Sequence, residues 1–480
     1  MEFQMVSSSL ITLFATLLFL FILLLNVIKR ASSWNTNPKF PPGPWKLPLI
    51  GNILSMISLK PPHYVLRNLA RKHGPLMHLQ LGEVSALIVS SPRVAKEILM
   101  KNDVAFANRP ELLVGKIVMY NYTDIALSPY GTYWRQMRKI CNLELLSAKK
   151  VQSFAYIREE EVKLMKESIQ SSSGSPINLS EKIYTLMNTI TSRAAFGRIY
   201  KDQGLLVQML QEMADLAGGF DVADLFPSYK FLHVVTRMRS KLMKIHQNLD
   251  NVFDNILEQH EKEMEITEKG KGGGMEKEDL LDILFRLKES GDLESPISID
   301  NIKAVILDVF SAGTDTTSST VEWTMSEIIR NPQVLKKVQA EVRQVLNGNT
   351  HPLHESDFHE LKYLKQVIKE TMRLHPVVPL LLPRECRERC EIDGYVIPVK
   401  TKVIINAWAL GRDPEYWHDA DTFVPERFEN TSIDFSGTSF EYLPFGPEGE
   451  CVPEVCLRWR TSRLFCAIYS ITLTGKSQGD

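Results

Sequence analysis

The sequence predicts a mainly α-helical domain with a minor β-sheet, held behind a single-pass N-terminal membrane anchor. Three observations lead there. Beyond the first fifty or so residues most of the chain carries a helical pattern, and β-like alternation is confined to short runs such as "LMHLQLGEVSALIVSS" early and "VIPVKTKVIINAW" late. The first thirty residues hold an uncharged apolar run. No internal repeat is visible in the 480 residues, which favours one large domain over several small ones.

The anchor comes first. "LITLFATLLFLFILLLNVI", Leu10 to Ile28, approaches the ~20 apolar residues needed to span a bilayer. Lys29 and Arg30 follow at once and only Glu2 is charged ahead, so the positive-inside rule leaves the bulk of the chain in the cytosol. A cleaved signal would want a basic start and a small-residue cleavage site, and neither is present. Residues 1–30 therefore read as a retained anchor. Residues 31–52 read as a proline-rich hinge, because Pro41, Pro42, Pro44 and Pro48 forbid helix and favour a stiff extended segment.

The body of the chain, residues 53–446, is 44% hydrophobic and 24% charged when counted with the rest, and the net charge is −1. That describes a large buried core and gives no electrostatic case for nucleic acid. Eleven His are scattered without a metal-ligand pattern. The six cysteines (Cys141, Cys386, Cys390, Cys451, Cys456 and Cys466) are too sparse for a disulfide scaffold and point to a reducing compartment. Cys386-x-x-x-Cys390 lacks a second ligand pair, so zinc is not expected there. "EITEKGKGGGMEKED", Glu265 to Asp279, reads as a surface loop between two long helices. The sequons at Asn121, Asn178 and Asn430 are chance matches in a cytosolic domain.

Two stretches carry chemistry. "VILDVFSAGTDTTSSTVEW", Val305 to Trp323, is helical in pattern but interrupted by Ala312-Gly313 and then a Thr cluster. It is either a buried helix with a small-residue packing face or an opened turn in which an acid and an alcohol relay protons to a ligand. "LKQVIKETMRLHPVVPLLLPRE" sets Glu370 and Arg373 on one helix face before Pro376 ends the helix. Pro425-Glu426-Arg427-Phe428 follows later and offers a third charged partner.

Together with "FANRP" at Phe106 to Pro110 and "WRQMR" at Trp134 to Arg138, these elements in this order resemble the cytochrome P-450 superfamily of haem-thiolate monooxygenases. The resemblance covers nearly all of the chain from Phe40 to Gly446. The anchor, the Pro-Pro-Gly-Pro hinge and AGTDTT make it most similar to the plant endoplasmic-reticulum branch that oxidises terpenoids and alkaloids. The resemblance implies a cytochrome P-450 fold around haem b. Trp134 and Arg138 would hold one haem propionate and Arg384 the other, with Ala312 and Gly313 at the haem face. Glu370, Arg373 and Arg427 would form a structural charged cluster, and Asp315 with Thr316 would relay protons. Phe310, Val377 and Leu381 would touch an apolar substrate, alongside the loops 112–122 and 220–225. It implies electrons from NADPH through a diflavin reductase docking near Arg135, Lys139, Lys149 and Lys150. A sesquiterpene is the expected substrate, with diterpenes and indole alkaloids as alternatives. Two rivals stand beside this reading: a haem-deficient remnant of the same fold, and an isomerase that uses no O₂.

The cysteine loop departs from the family pattern. That pattern reads Phe-x-x-Gly-x-Arg-x-Cys-x-Gly. Counting from Phe445, its Gly, Arg, Cys and Gly positions hold Glu448, Glu450, Val452 and Glu454, and Cys451, the candidate iron ligand, sits one residue early. With suitable synonymous codons "GECVPEVC", read one nucleotide earlier, becomes Gly-Arg-Met-Cys-Pro-Gly-Gly-Met and restores Arg-x-Cys-x-Gly. "SITLTGK", Ser470 to Lys476, read the same way gives His-His-Phe-Asp-Trp-Gln, close to the usual end of the plant family. Residues 447–480 thus read as a frame-shifted tail, and the chain as written is expected to bind haem poorly.

Overall fold

The computed structural model describes residues 40–446 apart from 173, 201–202, 217–221, 230, 270–277, 292, 349–358 and 436. Residues 1–30 and 447–480, hence the expected anchor and Cys451, lie outside the described residues. Among the described residues no helix is long and apolar enough to cross a membrane.

Counting only the longer helices, α1 (Pro62–His73) opens on a proline whose fixed φ suits a first helical position. Two strands follow, β1 (Leu76–Leu81) and β2 (Val84–Val89), antiparallel with Leu76 opposite Val89. Their turn holds Gly82 at φ +61, where a Cβ would come within 2.6 Å of the Leu225 carbonyl oxygen, so only glycine fits. The chain returns much later with β3 (Arg384–Glu385), the hairpin strands β4 (Cys390–Ile392) and β5 (Tyr395–Ile397), and β6 (Lys402–Ile405). β6 lies parallel to β2 and antiparallel to β3, which gives the order β1-β2-β6-β3. β4 and β5 form a separate pair. The hinge residues that are described dock on this sheet: Asn52 Oδ1 accepts from the Gln80 backbone N–H at 2.8 Å, and the His78 N–H donates to the Pro42 carbonyl at 2.9 Å.

The helical layer contains α2 (Thr132–Ile140), α3 (Ala155–Ser171), α4 (Leu179–Phe196), α5 (Gln203–Leu216), α6 (Met238–Lys269), α7 (Leu280–Ser290), α8 (Ile299–Arg330), α9 (Pro332–Gly348) and α10 (Lys362–Leu374). α6 reaches Lys269, so the first residues of the expected loop from Glu265 belong to that helix. Asp279 caps α7 in a capping box with Asp282, and His260 Nε2, on α6, lies 2.9 Å from Asp282 Oδ1.

α8 is the axis of the fold, packed against α4, α7, α9 and α10. A capping box of Ser298 and Asn301 starts it. It then runs without interruption through Ala312-Gly313 and the Thr cluster, so the opened turn considered from the sequence is not there. The reason is local: the hydroxyls of Ser318, Thr320 and Thr324 each donate to the carbonyl four residues back, at 2.9, 2.8 and 2.7 Å, and Thr316 does the same to Ala312. These four satisfy themselves along the helix instead of breaking it, whereas the buried hydroxyls of Thr314 and Thr317 find no partner among the described residues.

Candidate active site

The site is built from a cationic cavity, a half-open stripe on α8 and a buried charge cluster. The cavity measures about 440 Å³ and is lined by Trp134, Arg135, Arg138 and Lys139 from α2, Arg109, Arg384 of β3, and a single acidic side chain, Asp103. One turn of α2 stacks the Arg138 guanidinium 5.2 Å over the Trp134 ring. The Trp134 indole N–H donates to the Ile125 carbonyl at 3.1 Å, and Arg384 Nη1 donates to Asp103 Oδ1 at 2.7 Å. Arg109 Nη1 donates to the carbonyls of Leu382 and Pro383, both at 3.2 Å. The structure thus joins Trp134, Arg138 and Arg384, which sequence reasoning singled out, and adds Arg109, whose one signal was its place in "FANRP". Arg135 and Lys139, expected at a docking face, also border this cavity. Five cations against one carboxylate make a receptor for a group bearing more than one carboxylate.

On α8 the residues from Asn301 to Phe310 are buried, yet Ser311, Ala312, Asp315, Thr316 and Ser319 are partly accessible, while Gly313 is buried. That spacing is one helical face, and it carries the acid and the alcohol. Asp315 Oδ1 accepts from the Tyr184 hydroxyl of α4 at 2.5 Å. Burial holds the Asp315 carboxyl above the ordinary carboxylate range, and the Tyr184 hydrogen bond partly offsets this. Tyr184 was missed in the sequence because it lies 131 positions from its partner and no motif marks it. Phe310 is fully buried and stacks on Phe196 with ring centroids 6.0 Å apart, so its ring packs the interface of α8 with α4. Val377 is half-buried, and Leu381, at φ +51, is buried in the apolar cluster that holds Phe106 and Cys386.

The charge cluster fixes the lower part of the fold. Glu370 and Arg373 side chains are 0% exposed and pair bidentately, Nε to Oε2 at 2.7 Å and Nη2 to Oε1 at 2.8 Å. Arg427 Nε and the Val424 N–H both donate to Glu370 Oε1, each at 2.9 Å. Arg373 also donates to the carbonyls of Gly411 and Ala420 at 2.6 Å and of Thr422 at 3.1 Å. None of these groups touches the cationic cavity, so their work is architectural.

A second buried acidic pair went unnoticed in the sequence. Asp308 of α8 accepts from the Ile125 and Ala126 N–H groups at 2.6 and 3.4 Å, and Asp124 accepts from the Leu127 N–H at 2.7 Å. Burial pushes the Asp308 carboxyl up to about 7. Burial, then the neighbouring Asp308, push Asp124 up as well.

A cavity rich in arginine near a tryptophan, and a small-residue face with a hydroxyl and a carboxyl on a buried helix, fit a flat macrocycle carrying two carboxylates, as haem is. The chain belongs to the cytochrome P450 family, whose pattern it matches over residues 41–447. Members are monooxygenases with thiolate-ligated haem as cofactor; the match ends at Pro447, ahead of Cys451. The chain is 55% identical to premnaspirodiene oxygenase of Hyoscyamus muticus over 439 residues, 91% of this chain and 86% of that one. It is 53% identical to germacrene A hydroxylase of Barnadesia spinosa over 440 residues, 92% of this chain and 86% of that one. It is also 51% identical to 5-epiaristolochene 1,3-dihydroxylase of Nicotiana tabacum over 441 residues, 91% and 86%. Among solved structures, a zebra fish cytochrome P450 with progesterone superposes with a TM-score of 0.71 at 26% identity, covering 86% of this chain and 92% of that one.

Proposed function

We propose that the frame-restored form of this monooxygenase hydroxylates a sesquiterpene hydrocarbon at the endoplasmic-reticulum membrane, its catalytic domain facing the cytosol. Electrons come from NADPH through a diflavin reductase. The observation that carries the substrate class is the identity above 50% to three plant enzymes whose names specify oxidation of sesquiterpenes. The anchor and its charge flanks support the location.

Haem, when bound, supplies oxygen activation, and its thiolate ligand favours O–O cleavage. The chain's residues do the rest. Arg138 and Arg384 would hold the haem carboxylates, with Arg109 and Arg135 strengthening the positive field. The Asp315 carboxyl, raised by burial and held by Tyr184, retains a proton closer to neutrality than an exposed aspartate does. The Thr316 hydroxyl sits beside it on the accessible face and passes a proton once it leaves the Ala312 carbonyl. The apolar segment from Val377 to Leu382 keeps water from the substrate. For the reductase, the structure ties Lys150 Nζ to the Glu278 carbonyl at 2.5 Å, which leaves the exposed Arg135, Lys139 and Lys149 as its contacts. Charge reversal at Lys149 then slows reduction and leaves substrate binding intact.

The test is a frame-restored protein reconstituted with a plant diflavin reductase and supplied with hydrocarbon terpenes, and separately with indole alkaloids, under ¹⁸O₂. Labelled sesquiterpene alcohol is expected. Turnover of an indole alkaloid or a diterpene, with no sesquiterpene product, overturns the substrate class. The second reading, a haem-deficient remnant, is favoured by one observation: Val452 stands at the position of the ligating cysteine.

A further inference from the structure

Cys386 and Cys390 belong to neither the cavity nor the charge cluster. Cys386 follows β3 directly: its N–H donates to the Thr401 carbonyl at 2.9 Å, and its carbonyl accepts from the Lys400 N–H at 2.7 Å. Cys390 opens β4 and pairs with Ile397 of β5. The three residues between them fold back so sharply that the Cys386 thiol donates to the Glu388 carbonyl at 3.0 Å. The two Sγ atoms end up 4.0 Å apart. Closing that gap to a bond of about 2.05 Å brings the two sulfurs together by about 2 Å. Burial differs between the two: Cys386 is 0% exposed, whereas Cys390 is partly accessible. Both are free thiols.

We propose that Cys386 and Cys390 form a dithiol that hydrogen peroxide converts to a disulfide, fastening the edge of the four-stranded sheet to the β4–β5 hairpin. The accessible Cys390 is the attacking group and the buried Cys386 the resolving one. The contact between the two sulfurs holds the Cys390 thiol below its ordinary range and pushes Cys386 up, which matches those roles. The Cys390 thiolate attacks one peroxide oxygen; an S–O bond forms, the O–O bond breaks, and hydroxide leaves. That hydroxide takes the Cys386 proton to become water. The Cys386 thiolate then attacks the Cys390 sulfur, the S–S bond forms, and the second hydroxide leaves as water with the proton that Cys390 had released. Two thiols and one peroxide give one disulfide and two waters.

The turn between the cysteines also reaches the cationic cavity. The Arg387 N–H donates to the Ala105 carbonyl at 2.9 Å, and its guanidinium lies 4.9 Å over the ring of Tyr130, a lining residue. Oxidation therefore stiffens one wall of the cavity. None of this depends on which terpene is oxidised.

The experiment treats the full chain with hydrogen peroxide, alkylates remaining thiols, and digests with trypsin without reduction. Trypsin cleaves after Arg384, Arg387, Arg389 and Lys400, so Glu385–Arg387 and Cys390–Lys400 are separate peptides unless a disulfide joins them. The linked pair, two hydrogens lighter than the sum and split by dithiothreitol, is the expected product, with loss of alkylation at both cysteines. In Cys386→Ala, Cys390 halts at the sulfenic acid and is trapped by dimedone; in Cys390→Ser, Cys386 stays reduced. Peroxide-treated wild type in which both cysteines alkylate, in which Cys390 advances to the sulfinic acid, or in which either pairs with another cysteine overturns the proposal.

Discussion

Replacing Glu370 by Gln keeps the shape of the buried charge cluster and removes its only anion. Glu370 accepts four hydrogen bonds, two from Arg373, one from Arg427 and one from the Val424 N–H. A Gln side chain has one oxygen, so its amide must face a guanidinium donor with a donor of its own. Arg427, at 12% exposure, can turn toward water, but Arg373 at 0% cannot. Breaking a buried pair from one side costs roughly 3–5 kcal/mol, because a charge is left without compensation. At ~2.1 cal/mol/K per residue over about 400 residues, that lowers the unfolding midpoint by ~4–6 °C. Arg427→Met is expected to cost less, about 1–2 kcal/mol, since Glu370 keeps Arg373 and the carbonyls released at His418 and Asp419 gain water. The assay is loss of helical circular dichroism at one fixed scan rate, with all three proteins side by side. If Arg427→Met proves as damaging as Glu370→Gln, or the Gln variant melts with the wild type, the ranking by burial is wrong.

Three further outcomes are expected. Thr316→Val in a frame-restored protein lowers product formed per NADPH consumed by about tenfold, less than the ~10²–10⁴-fold rate effect of a proton-transfer group; unchanged coupling removes Thr316 from the proton path. Asp308 has a folded-state carboxyl raised from 3.8 to about 7, so wild-type stability falls as pH rises through that interval. Asp308→Asn removes that carboxyl's share of the loss, about 4 kcal/mol at most, and lessens the slope of the melting profile between pH 4 and 7, where Asp124 still titrates; a wild-type slope in the variant would falsify the assignment. The chain as written, with Glu450 at the arginine position and Cys451 out of register, gives no full thiolate-type Soret band when reduced under carbon monoxide, whereas restoring the frame returns it. A full band from the literal chain refutes the frame-slip reading.

The features legible in the sequence were those written locally. Glu370 and Arg373 three apart, Trp134 and Arg138 four apart, and the helical run of α8 all place neighbours by helix geometry alone. What required the fold was long-range. Nothing near Asp315 names Tyr184, and nothing near Asp308 announces Asp124. The Thr cluster left two readings open, and the buried helix prevails because the hydroxyls of Ser318, Thr320 and Thr324 return their bonds to their own preceding turn. The prolines of the hinge announce an extended chain without saying that its described end lies along β1. The cysteine loop was legible only as a departure, because a ligand set is defined by register and Val452 holds the decisive place.

The parallel pairing of β2 with β6 sets a clock on biosynthesis. Ala86 finds its partner Lys402 more than three hundred positions downstream. At ~5–20 residues per second, a ribosome takes roughly 15–60 s to make that stretch. Through that interval the β1–β2 hairpin is a finished template with an open edge, and Leu87, Ile88 and Val89 are paired on the β1 side only. A nascent chain in this condition is a natural client for a holding chaperone. The sheet closes once Ile405 has emerged, so its completion draws on no residue of the tail and proceeds alike in either reading frame.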